Sequence, residues 1–153
     1  MKNLANFKTA VRSREYLIQA IFQMLFDNQV ASKIIVQFKE EHKSKKVDFE
    51  LFSNSLLSIE ENIKNIESII SKLDIKDSSI ELIDKSILCF AINEMLFGEL
   101  DKPVVIDEAL RLSKKFSSPD SYKFINVSLD KFLKSIISVS YTHLRAHETE
   151  NDL

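Results

Sequence analysis

The stretch Asp48–Leu73, DFELFSNSLLSIEENIKNIESIISKL, decides the fold. In it Phe52, Leu56, Ile59, Ile63, Ile66, Ile70 and Leu73 recur at alternating spacings of four and three. At about 100° per residue, that alternation puts all of them on one stripe of an α-helix. Asp48 stands where an N-cap belongs, because its carboxylate can accept a backbone N–H of the first turn. A stripe about three heptads long buries itself either in the core of a helical bundle or along a dimer seam.

The same periodicity extends outward in both directions. A first helix is predicted over Thr9–Asp27, with Leu17, Ile21, Met24 and Leu25 as its apolar stripe and Lys8, Arg12, Glu15, Gln19 and Gln23 opposite. A shorter helix covers Ala31–Glu41, and the run Lys43–Lys46 is a solvated connector. After the long helix, Ser78 and Glu81 have the spacing of a capping box, opening a fourth helix through Ile83, Ile87, Leu88, Ala91, Met95 and Leu96 that ends at Gly98. Pro103 begins a fifth, running toward Phe116. Ser118-Pro119-Asp120 then restarts the chain as N-cap, first-turn proline and first-turn acid. In this last helix Tyr122, Ile125, Leu129, Phe132, Leu133 and Ile136 form the predicted buried stripe.

Composition narrows the function. Of 153 residues, 44% are apolar, enough for one domain with a sizeable core, and only one is glycine. Phosphate-cradling loops and dinucleotide folds need several glycines for close backbone approach, so Walker-type hydrolysis and Rossmann cofactors are disfavoured. Cys89 has no partner for an internal disulfide, and no apolar run is long enough to span a bilayer, which reads as a cytoplasmic protein without a membrane role. Cys89 lies in an apolar run with no histidine nearby and reads as a small core residue. Asp107 and Glu108 are adjacent, so on a helix they diverge rather than facing one another across a substrate. No catalytic set and no cofactor are expected.

The net charge of −2 is distributed unevenly. Lys2, Lys8, Arg12 and Arg14 all precede the first acid, Glu15. Between Lys102 and Lys134, seven basic residues stand against four acids. The two basic regions are therefore expected to converge in space. Helical projection places Phe124 among Asp120, Lys123, Val127, Lys131 and Lys134, away from the apolar stripe. An exposed ring among lysines is a candidate platform for stacking a base with phosphate contacts beside it. The competing reading is a ring packed on a neighbouring helix, with the lysines solubilising.

From Ser138 to Thr149 the sequence, SVSYTHLRAHET, changes character abruptly and resembles one reading frame of a sequencing-library transposase adapter. His143 and His147, with Glu148, have a metal-like spacing. The only other histidine, His42, sits in the lysine-rich connector, so a metal site is rejected. Residues 1–137 are expected to form a single all-helical domain, and 138–153 a non-native, disordered tail replacing the true C-terminus.

Several segments together resemble the NusB family of bacterial transcription antitermination factors. They are Arg12-Ser13-Arg14-Glu15 with Gln19-Ala20-Ile21-Phe22, Val105-Ile106-Asp107-Glu108-Ala109, Lys115-Phe116, and Asp120-Ser121-Tyr122-Lys123-Phe124-Ile125-Asn126 with Leu129-Asp130-Lys131. The resemblance implies an all-α bundle of about six to seven helices in two packed three-helix halves. It also implies binding of single-stranded boxA-type leader RNA together with NusE, a ribosomal small-subunit protein, and through them an indirect contact with elongating RNA polymerase, notably in ribosomal RNA operons. Lys8, Arg12, Arg14, Gln19, Lys123 and Phe124 become the RNA-facing residues, and Asp84, Glu94 and Asp120 the partner-facing ones. Ala10 and Val11 stand where the family pattern carries further arginines, and Val127 where it carries a glycine. The other reading is a helical protein-interaction module without a direct RNA role. Its oligomeric state is expected to be a monomer or a weak homodimer.

Overall fold

The Asp48 carboxylate accepts the Leu51 N–H at 3.0 Å, so the long helix begins where its cap residue predicts. In the computed structural model the backbone is described for residues 2–73 and 80–151, and the side chains for residues 7–73 and 80–137. Those residues form six helices: α1 (Lys2–Asp27), α2 (Ala31–Glu41), α3 (Phe49–Lys72), α4 (Leu82–Phe97), α5 (Lys102–Phe116) and α6 (Pro119–Asn151). No strand occurs among the described residues.

The α3 stripe settles inside the chain. Phe52, Leu56, Ile59, Ile66 and Ile70 are buried, and α3 packs against α1, α2 and α4. It is thus a core helix, with its apolar face already occupied. α4 lies at the centre of the molecule: 10 of its 16 residues are buried, and it packs against α1, α3, α5 and α6. A helix apolar around most of its circumference can be satisfied only in such a position. α1, α2 and α3 form one three-helix half, α4, α5 and α6 the other, and α4 joins them.

The helix ends follow local chemistry. Asn28, in the left-handed region at φ 54°, follows α1. Ser118 precedes α6 with its Oγ accepting the Ser121 N–H at 3.3 Å. Gly98 caps α4 by donating its N–H to the Glu94 carbonyl at 2.8 Å. Two expectations shift. Glu81 is itself the α4 N-cap, without a side-chain bond, so it does not complete a capping box, and Ser78 lies outside the described residues. α6 is helical to Asn151, where disorder was expected from Ser138; no proline or glycine follows Pro119 to stop it.

Candidate nucleic-acid interface

The basic residues of α1 divide between two faces. Lys8 and Gln19 are exposed and Arg12 half-exposed on one side of the helix. Arg12 donates from Nη1 to the Lys46 carbonyl at 3.2 Å, which holds it over the connector between α2 and α3. Arg14, two residues on, is turned about 200° from Arg12 and does not share that face. It pairs instead with Glu108 of α5 at 3.4 Å, its side chain only 17% exposed.

That pair belongs to a network sequence reasoning missed. Arg111 donates to Glu108 from Nη2 at 2.7 Å and from Nε at 2.9 Å, and to Glu15 from Nη1 at 2.9 Å. Lys115 reaches the other Glu15 oxygen at 2.9 Å. Burial works to push the Glu108 carboxyl up, but the hydrogen bonds and positive charges of Arg111 and Arg14 outweigh it and hold Glu108 below the ordinary range. Glu15 and Glu108 thus serve as the anions of an α1–α5 clamp. Its cross-helix contacts span 94 to 100 residues, so no local pattern reveals them; only Glu108–Arg111, three apart on α5, is local.

On α6, Asp120 and Lys123 are exposed, as the projection predicts. Phe124 departs from its prediction: the ring is half-buried against the core rather than standing clear in solvent. The buried stripe includes Ser121 and Ser128 beside Ile125, Leu129 and Phe132, which swings its centre toward Phe124. Lys123 lies with Lys114, Ser117, Ser118, Pro119 and Tyr122 around a depression of about 360 Å³ between the end of α5 and the start of α6. Lys114 Nζ sits 5.0 Å from the Tyr122 ring centroid, a cation–π contact that adds both residues to the basic-aromatic surface. α5 connects the two basic stretches, through Glu15–Lys115 on one side and Lys114–Tyr122 on the other.

The three residues expected to face a partner do not form one surface. Asp84 is only 5% exposed and accepts hydrogen bonds from Ser117 Oγ at 2.9 Å and Ser121 Oγ at 2.8 Å. Both oxygens are committed to pinning the start of α4 to the α5–α6 junction, so Asp84 is corrected from a contact residue to a structural one. Glu94 is half-buried near the other end of α4, ten residues and about 15 Å of helix rise away. Only Asp120 is freely exposed. Burial pushes the Cys89 thiol up to about 12, so it stays protonated and unreactive at neutral pH.

This helical order and the α5–α6 signature match a known family. The sequence model of the NusB family covers residues 11–134. The chain belongs to the NusB family. The match begins in α1 and stops in α6 before Ser138. Among NusB-family relatives, the transcription antitermination protein NusB of Clostridium perfringens strain SM101 is 39% identical over 132 residues, spanning 82% of this chain and 97% of the relative. That of Tolumonas auensis is 34% identical over 127 residues, spanning 82% and 92%. The solved structure of T. maritima NusB superposes with a TM-score of 0.71 at 27% identity, covering 81% of this chain and 89% of that one. A crystal structure of the antitermination factors NusB and NusE in complex with dsRNA gives a TM-score of 0.72 at 18% identity, covering 80% and 94%, and attests the shared NusB fold.

Proposed function

We propose that this NusB-family chain is a non-catalytic, cytoplasmic transcription antitermination factor that binds boxA-type single-stranded leader RNA together with NusE, notably in ribosomal RNA operons. The observation that carries the reading is the family match across both halves of the bundle, with curated relatives named for antitermination. The local chemistry agrees: Lys8, Arg12 and Gln19 share an outward face of α1, and Lys123 stands beside two aromatic rings at the start of α6. Cations hold the phosphates, and Phe124, with one edge open, supports an unstacked base. Arg14, paired with Glu108, braces the α1 face from behind rather than holding a phosphate, and Asp120 faces the protein partner. Cytoplasmic placement accords with the absence, among the described residues, of any helix long and apolar enough to cross a membrane. Residues 138–153 stand outside the functional unit, in keeping with a family match that ends at residue 134.

The test is a titration of the protein, with and without NusE, into short boxA-like and scrambled single-stranded RNAs. Joint dependence on NusE and on RNA sequence is expected, and Phe124→Ala should weaken RNA binding by about 1–3 kcal/mol with helicity unchanged. Equal affinity for both RNAs, with or without NusE, refutes the reading. Transcript reads across the codon of Ile137 test the tail: a continuous native frame into Tyr141 would return it to the protein.

A further inference from the structure

α1, α3 and the C-terminal end of α4 enclose a cleft of about 400 Å³ that the RNA reading does not use. Its floor is apolar, with Leu17, Phe52 and Phe90 buried beneath it, while Phe97 stands at the mouth with 55% of its surface exposed. The deeper polar groups are already satisfied: the Asn93 amide donates to Ser58 Oγ at 3.1 Å, so the floor asks an incoming group for no hydrogen bond. The rim is acidic. The Glu94 carboxylate folds back over Gly98, where any side chain would collide with it, and accepts the Leu100 N–H at 3.5 Å. Glu99 is exposed and forms no ion pair among the described residues. The one cation on the lining, Arg14, is engaged by Glu108.

An exposed aromatic edge over an apolar floor with a charged rim is the usual anatomy of a protein-docking surface. The rim carboxylates repel phosphate, and the satisfied floor favours an apolar side chain. We propose that this cleft docks a cationic segment of a protein partner, with one apolar side chain seated over Phe52 and Phe90 beside Phe97 and its flanking lysine or arginine meeting Glu94 and Glu99. The site is separate from the basic α1 and α6 surfaces and does not depend on RNA binding.

The probes are three fluorescein-labelled helical peptides titrated into the full chain: one with leucines at i, i+3 and i+4 among lysines, one with the lysines replaced by glutamates, and one with the leucines replaced by serines. The leucine–lysine peptide is expected to bind saturably and at least tenfold more tightly than either control. Phe97→Ser, and separately the double variant Glu94→Gln with Glu99→Gln, should each weaken it at least fivefold, while Lys33→Ala on the far helix α2 leaves it unchanged. Phe97 and Glu99 are exposed, so circular dichroism should show intact folding. Equal binding of the leucine–lysine and serine–lysine peptides, or indifference to the cleft variants, overturns the proposal. So does concentration-dependent self-association abolished by Phe97→Ser, since a second copy would then be the occupant. RNA titration of the same variants keeps the two readings apart.

Discussion

A carboxylate as deeply buried as Asp84 persists only when its oxygens are matched, and here two serine hydroxyls match them. Removing the acceptor leaves Ser117 Oγ without its partner and Ser121 Oγ with only the Ser118 hydroxyl at 3.1 Å. Asp84→Ala should therefore cost about 1–3 kcal/mol and lower Tm by several degrees in thermal denaturation. A stability equal to that of the parent chain would mean that water replaces the carboxylate. The same serines explain why Phe124 was misplaced by its helical projection. Ser121 Oγ is spent on Asp84, and Ser128 Oγ donates to the Phe124 carbonyl at 2.8 Å, so both lie in the core despite their polarity. Counting serine as polar shifts the predicted apolar face away from Phe124. That error arises from hydrogen bonds closed within the fold, which a residue-type pattern does not contain.

Elements were more legible than side-chain roles. The four-and-three spacing of α3, the Asp48 cap, the Ser118-Pro119 restart and the end of α4 at Gly98 all carry local chemistry, and each appears where the sequence puts it. The α1–α5 clamp was illegible because its charges meet only after α4 brings the halves together. Glu108 makes the clamp testable by pH. Its folded-state pKa lies below its ordinary value of 4.5, so its stabilising contribution is present in full above that value and is lost as pH falls through the lower folded value. Glu108→Gln should thus destabilise the protein by about 1.5–3 kcal/mol at neutral pH, the range for hydrogen bonds to charged groups. In urea unfolding, the gap between parent and variant should narrow progressively below about pH 4.5. A gap independent of pH would show that Glu108 acts by packing rather than charge.

Across the whole molecule, opposite electrostatic surfaces follow from how the charges are committed. Arg14, Arg111 and Lys115 neutralise Glu15 and Glu108, and Lys134 pairs with Asp130 at 3.0 Å, so much of the positive charge is spent internally. The chain nevertheless keeps Lys8, Arg12 and Lys123 facing outward, and among the described residues none of the three forms an ion pair. Each phosphate held on a single strand contributes about 0.7 to the slope of log affinity against log salt concentration. Three such contacts predict a slope of about −2 for the chain alone, shallow compared with a protein whose whole basic complement faces the nucleic acid. Lys123→Ala should lower its magnitude by about 0.7, whereas Glu108→Gln, which alters only the internal clamp, should leave it unchanged wherever the variant is folded. Fluorescence anisotropy over a fourfold range of salt measures both. A much steeper slope would mean that the clamp opens on binding and releases its cations to the RNA, making α1 and α5 movable parts of the interface rather than its fixed support.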